Sequence, residues 1–303
     1  MRIVKDTDID FIGNRRLAIT ISISLIIIGL IFLFIHKGPN FGIDFKGGTL
    51  MELRFKEPVM VSDIRASLSK INLGDSEIKE FGSSREILIR TMEKEEGTEI
   101  SDLIKETLKK DFPDNPFEEE RLEKVGPKIG SELIRRAIWS ILIAMLFILI
   151  YISWRFEFIF AIGAIIALFH DVLITLGAFF IFNKEFNLPI VAAILTIVGY
   201  SLNDTIVVYD RIRENLKVLR KEKYTYIINR SINQTLSITL ITSLTTLTVV
   251  IVLFVAGGEV INNFAFALLI GIIVGTYSSI FIASPVLIEW QNWREQKKKR
   301  KTM

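Results

Sequence analysis

Six stretches of the chain are almost continuously apolar over the length that crosses a bilayer's hydrocarbon core, about 20 residues. They are Leu17–Ile35, Ala137–Ser153, Phe158–Phe182, Pro189–Tyr209, Ile232–Ala256 and Phe264–Ile288. The region between the first and second reads differently. Thr49–Phe55 alternates apolar and polar like a half-buried strand, and Val61–Ile71 places Ile64, Leu68 and Ile71 on one helical face. Ser76–Phe81 and Arg85–Arg90 read as strands joined by the Gly82-Ser83-Ser84 turn. Glu99–Phe112 predicts an amphipathic helix with Ile100, Leu103, Ile104 and Leu108 inward, and Glu118–Val125 a last strand. The order β-α-β-β-α-β is that of a ferredoxin-like split βαβ unit.

The pattern therefore predicts a polytopic α-helical membrane protein with a small α+β domain between its first two helices. Its parts are an N-terminal segment 1–16, helix one at 17–35, the α+β domain at 36–133, a five-helix bundle at 134–288 and a basic tail at 289–303. Orientation follows from the lysine and arginine content of short loops and flanks. Arg2, Lys5, Arg15 and Arg16 precede helix one, and seven basic residues from Arg211 to Arg230 join helices four and five. The tail adds Arg294 and Lys297 through Lys301, whereas the loops of the opposite side offer Lys184. Both termini are expected in the cytoplasm, and the α+β domain on the opposite side of the membrane. Arg135 and Arg136 oppose the trend, but the long domain before them weakens their weight.

Composition agrees with a mixed protein. The 303 residues are 50% hydrophobic and 23% charged, and the mean hydropathy is +0.42. The formal net charge of +3 is too small to suggest a nucleic-acid partner. The absence of cysteine excludes disulfides, thiolate metal sites and cysteine nucleophiles. The first apolar stretch is too long for a signal-peptide core, and His36-Lys37-Gly38-Pro39 is a poor cleavage site, so it is read as a retained helix.

Candidate chemistry lies within the apolar stretches. Asp204 sits in helix four, in the run Val198-Gly199-Tyr200-Ser201-Leu202-Asn203-Asp204-Thr205. A charged aspartate at a helix centre costs roughly 2.5–3.5 kcal/mol on insertion scales. Asp204, a few residues from the cytoplasmic end, either carries an ion along a water-accessible path, or snorkels to the interface or bonds a neighbouring helix. Asp171, beside His170 near the middle of helix three, carries the same cost and the ion-carrying and helix-bonding readings. Consecutive helix residues point about 100° apart, so His170 and Asp171 are not expected to face each other. Helix five aligns Thr235, Thr239, Thr242 and Thr246 on one face, bordered by Ser243. That stripe suits interhelical bonding, and equally suits ordering water or a cation opposite Asp204. Small residues such as Gly163, Gly271 and Gly275 suit close helix packing.

Phe41-Gly42-Ile43-Asp44-Phe45-Lys46-Gly47-Gly48-Thr49 reads as a tight glycine-rich turn entering a strand. Neither a phosphate loop nor a dinucleotide fingerprint is present, nor H-E-x-x-H or G-x-S-x-G. No enzyme activity or cofactor is expected, and work would be driven by an ion gradient or a partner.

FGIDFKGGT and Gly199–Asn215, GYSLNDTIVVYDRIREN, resemble the two signatures of the SecF family, whose members pair with SecD in protein export. Supporting stretches are Val125-Gly126-Pro127, His170-Asp171-Val172 and Asn233-Gln234-Thr235-Leu236. The resemblance spans nearly the whole chain. It implies kinship with resistance-nodulation-division transporters, and use of the proton-motive force or a sodium gradient to promote preprotein translocation. Implied partners are SecD, the SecYEG channel, the translocating preprotein and membrane lipids, with YajC and YidC as further candidates. By that resemblance Asp204 is the carboxylate of the ion path, and Asp171, Thr239 and Thr242, singled out above, join it as candidate ion-coupling residues. Gly42, Asp44, Gly47, Gly48, Gly199, Asn203, Asp210 and Arg211 become signature positions.

One departure stands out: the family usually has arginine where this chain has Ile238. An arginine there would face Asp204, so its loss leaves the aspartate to Thr239, Thr242 and water, or makes sodium the coupling ion. Two alternatives are a stand-alone exporter of small molecules or lipids, and a scaffold without coupling. Exporters of that kind usually carry two six-helix halves, and a scaffold would not need Asp204.

Overall fold

The computed structural model describes residues 7–91 and 100–301, so Arg2, Lys5 and Glu99 lie outside the described residues. Along the chain the elements are α1 (Arg15–Ile35), α2 (Ile43–Lys46), β1 (Gly48–Phe55), α3 (Val61–Ser69), β2 (Glu77–Phe81) and β3 (Ser83–Thr91). They continue with α4 (Ile100–Asp111), β4 (Phe117–Val125), α5 (Pro127–Arg155), α6 (Phe158–Ile181), α7 (Leu188–Val218) and α8 (Tyr224–Ala256). The last helix is α9 (Gly258–Ser278), a π-turn (Ser279–Ala283) and α10 (Ser284–Lys301). Two compact units result. An α+β unit contains Phe41–Trp139 with Glu185–Leu188, and a helical unit contains the remainder.

In the α+β unit four antiparallel strands take the order β2-β3-β1-β4. The strand period of two turns Met51, Leu53 and Phe55 to the face that α3 and α4 cover, where they meet Ile87, Ile89, Ile64, Leu68, Ile104 and Leu108. Ile71 and Ile100 are only partly buried there. Leu103, expected inward, is 43% exposed, because the buried stripe of α4 runs through Ser101, Ile104 and Leu108. The expected glycine-rich turn is a single helical turn, α2, closed by Gly47 and Gly48 at φ 77° and 135°. Those angles favour glycine.

Among the described residues six helices are long and apolar enough to cross a membrane. α7 runs nine residues past the predicted Tyr209, and α8 starts eight before the predicted Ile232, because helix continues where the apolar pattern stops. α6 and α7 form the centre, burying Ala161, Gly163, Ala164, Ala167 and Phe179 on one and Ile194, Ile197, Val198 and Val208 on the other. Small residues set the spacing, as membrane helix packing requires. A Cβ on Gly29 of α1 would lie 2.6 Å from the Gly177 Cα of α6, and one on Gly275 would lie 2.8 Å from the Ser201 Cβ. By contrast α1, α5 and α8 keep many large apolar side chains exposed, including Ile27, Leu142 and Val252.

Candidate functional site

Among the described residues two carboxylates are buried in the helical unit, each only 1% exposed. Asp204 lies on the buried side of α7. Its Oδ2 accepts hydrogen bonds from Ser243 Oγ of α8 at 3.3 Å and Thr276 Oγ1 of α9 at 3.2 Å. Those hydroxyls lie 2.6 Å from each other. No cationic side chain opposes this carboxylate among the described residues.

Asp171 of α6 is held more densely. Its Oδ2 accepts from Ser201 Oγ of α7 at 2.5 Å and Ser278 Oγ of α9 at 2.8 Å. Its Oδ1 lies 2.9 Å from His170 Nδ1, contrary to the expectation that adjacent helix residues would not meet. Their Cβ directions do diverge, but the imidazole is long enough to turn back on its neighbour. His170 Nε2 reaches Ser22 Oγ of α1 at 2.9 Å, and Ser22 reaches Tyr277 OH at 3.1 Å. Four helices thus contribute to one chain of polar groups, the pattern of a network that fixes geometry when fully partnered.

Just beyond Ser278, the π-turn interrupts the α-helical ladder, and such turns recur at functional sites. Hydroxyls satisfy its loosened backbone. Tyr209 OH donates to Ala283 O at 3.2 Å, and Ser284 Oγ donates to Ser279 O at 2.9 Å. Gly163 leaves room for the Tyr209 hydroxyl, which a Cβ there would strike.

The helix-five stripe makes an interhelical bond at Thr246, whose Oγ1 accepts from Tyr200 OH of α7 at 3.3 Å. Thr235 and Thr239 are buried, but Thr239 donates to Thr235 O, and Thr242 to Ile238 O and Thr239 O. Threonine in helices often bonds the preceding turn in this way. The donors to Asp204 are Ser243 and Thr276 instead. Ile238 is 53% exposed, so its position lies on the outer side of α8, away from the buried face that carries Ser243. Thr276, Ser22 and Tyr277 were not singled out from the sequence. Ser201 could have been, since it stands one turn before Asp204 in the same motif.

The signature positions divide among separate places. Gly199 and Asn203 lie on the exposed side of α7. Asp210 pairs with Arg155 at 3.4 Å, and Arg211 with Glu214 at 2.9 Å. Asn233, with Asn229, holds the N-terminal segment by bonds to the backbone of Ile9, Phe11 and Ile12. Gly42, Asp44, Gly47 and Gly48 belong to the α+β unit, where Asp44 Oδ2 accepts from Leu188 N at 2.7 Å.

Among the described residues no group of three or more His, Cys, Asp or Glu side chains is placed to hold a metal. Asp204, Ser243 and Thr276 converge three oxygens, a set that can exchange a proton or supply part of a shell for a hard cation.

Residues 104–293 match the family described as "Protein export membrane protein SecD/SecF, C-terminal", and residues 32–59 match the "SecD/SecF GG Motif". The chain is 52% identical over 290 residues to a protein translocase subunit SecF of Desulfurispirillum indicum, covering 93% of this chain and 92% of the relative. It is 51% identical over 286 residues to a SecF of Calditerrivibrio nitroreducens, covering 93% and 94%. Among solved structures it resembles SecDF from Thermus thermophilus, with a TM-score of 0.83 and 39% identity. That similarity covers 95% of this chain and 39% of the longer SecDF chain. The chain belongs to the SecF family of protein translocase subunits.

Proposed function

We propose that this chain acts as the SecF half of a SecD–SecF complex, drawing on an ion gradient across the bacterial inner membrane to promote preprotein translocation. Asp204 carries the coupling ion, a proton or sodium, and the Asp171 network ties the surrounding helices to its state. The observation that carries this reading is a buried carboxylate of α7 served by two hydroxyls and opposed by no cation among the described residues. Leaving a carboxylate at such depth is costly, and intramembrane aspartates mark ion paths. One charge crossing 100 mV releases about 2.3 kcal/mol, so a few ions per cycle suffice for a domain movement.

The sheet order β2-β3-β1-β4 with two helices on one face supports a ferredoxin-like reading of the α+β unit. The basic flanks support placing that unit outside the cell membrane and both termini inside. SecD is the expected complement, because one six-helix set makes half of a paired transporter, and the SecYEG channel is the expected site of action. No enzyme activity is assigned to the chain.

Cells depleted of their own SecF test this reading by expressing the parent chain or its Asp204→Asn variant. The parent restores export, whereas the variant copurifies with SecD and does not. Equal restoration by both would move the coupling out of this chain and leave it a scaffold. Repeating the assay without sodium identifies the ion, since full activity there excludes sodium coupling.

A further inference from the structure

The glycine motif after the first helix contains an aspartate that ion coupling does not use. Asp44 Oδ2 accepts the Leu188 N–H at 2.7 Å, across 144 residues of chain. Leu188 is the first residue of α7, the helix that carries Asp204. A helix start leaves its first N–H groups without internal partners, and a side chain of the preceding residue commonly fills that need. Here the preceding residue is Asn187, yet its Oδ1 is buried with no hydrogen-bond partner. The next residue, Pro189, has no N–H to offer. The remote carboxylate therefore serves the first N–H of α7, where the helix dipole also favours negative charge.

The motif grips the rest of the loop as well. Gly42 N–H donates to Phe186 O at 2.8 Å, and a Cβ on Gly42 would strike Glu185 Oε1. Glu185 receives Arg90 Nη2 of β3 at 2.6 Å, and Arg90 is braced by Glu77 of β2 at 3.0 Å. The Phe41 ring meets Phe45 and Phe186 edge-on at 5.6 and 6.4 Å. These bonds explain why Glu185–Leu188 belongs to the α+β unit although it lies between two apolar helices in sequence. From Leu188 the helix runs unbroken through Asp204, about 24 Å along its axis at 1.5 Å per residue.

We propose that Asp44 is a positioning residue for coupling: with Gly42 it fixes the Glu185–Leu188 segment and the first N–H of α7, the helix that carries Asp204. This rests on the Asp204 reading, but it makes a separate demand. That contact must stay closed through the cycle, whereas a helix cap of purely local value need only help α7 fold.

The absence of cysteine in the chain allows a direct test in the full chain complexed with SecD. Phe41 and Phe186 form a β-bridge, which spaces their Cα atoms like neighbouring strands, roughly 4.8 Å. That is within the range a disulfide spans. Asp44→Ala is expected to copurify with SecD at parental levels while export falls about tenfold or more, within the usual span of a coupling interaction. Asp44→Asn, which keeps an acceptor oxygen, is expected to retain most export. Adding Phe41→Cys with Phe186→Cys to Asp44→Ala should restore export when the pair is oxidised and lose it again on reduction. Parental export by Asp44→Ala would overturn the proposal. So would an oxidised pair that fails to rescue Asp44→Ala, or one that blocks export when Asp44 is present. Asp204→Asn assayed alongside separates the two claims, since normal export by that variant removes the ion role and leaves the Asp44 outcome to be read from its own rescue.

Discussion

Ser201 of α7 donates a 2.5 Å hydrogen bond to Asp171 of α6, and it stands one helical turn before Asp204. The two buried carboxylates are therefore linked through a single helix, since residues three apart are neighbours on its surface. Ser201→Ala removes one of the two hydroxyl donors to Asp171 Oδ2 and leaves Ser278 in place. Polar contacts between membrane helices average about 0.6 kcal/mol and reach about 1.7. We predict a loss of stability in that range by thermal unfolding in detergent, together with a reduced rate of export. Unchanged export would show that the Asp171 network does not inform Asp204.

The contact of Gly29 with Gly177 sets how closely α1 approaches α6. A Cβ on Gly29 would lie 2.6 Å from the Gly177 Cα, against rigid backbone. Gly29→Leu should therefore push the helices apart and cost about 1–3 kcal/mol, as overpacking generally does. It would also strain the Ser22–His170 bond between the same helices. Thermal unfolding of the purified chain measures the loss, and a parental melting temperature would contradict the packing described.

Tyr209 tests the π-turn. Its hydroxyl donates to the Ala283 carbonyl from a fully buried ring. Tyr209→Phe keeps the ring and deletes the donor, removing one hydrogen bond with a net worth of about 0.5–1.5 kcal/mol. The expected result is a lower unfolding temperature with the complex still formed.

Asp111 gives the α+β unit a defined response to acid. Lys70 Nζ bonds its two carboxyl oxygens at 2.8 and 2.7 Å, and Ser67 Oγ donates at 2.5 Å. The lysine bond first, and then the serine bond, holds the Asp111 carboxyl below the ordinary range. A carboxyl depressed by folding stabilises fully above its unfolded pKa of about 3.9, and that stabilisation is lost as pH falls through the folded value. Asp111→Asn should therefore lower stability at neutral pH and narrow its gap to the parent in acid. A gap that widens as pH falls would contradict the assignment.

Much of this architecture was legible in the chain. The apolar runs marked six helices, and the alternation in Thr49–Phe55 marked a strand that does turn Met51, Leu53 and Phe55 inward. Helix ends were not legible, because Asp210–Val218 and Tyr224–Ser231 are helical without being apolar. Asp204 and Asp171 announced themselves by their cost in an apolar setting. Of the Asp204 partners, Ser243 was visible at the border of the threonine stripe, whereas Thr276 was an ordinary hydroxyl whose importance depends on helix rotation. The threonine stripe was legible by its spacing, and Thr246 does meet Tyr200 of α7, whereas the hydroxyls of Thr239 and Thr242 turn back to their own backbone. Asp44 was visible as part of a motif, whereas its bond to Leu188 depends on residues 144 positions apart.

The most direct test of the central claim uses proteoliposomes holding the SecYEG channel and SecD with either the parent chain or Asp204→Asn. A preprotein is first arrested part-way by exhausting ATP, and an ion gradient is then imposed. The gradient is expected to complete translocation with the parent and to leave the intermediate arrested with Asp204→Asn. Equal completion with both chains would contradict that claim.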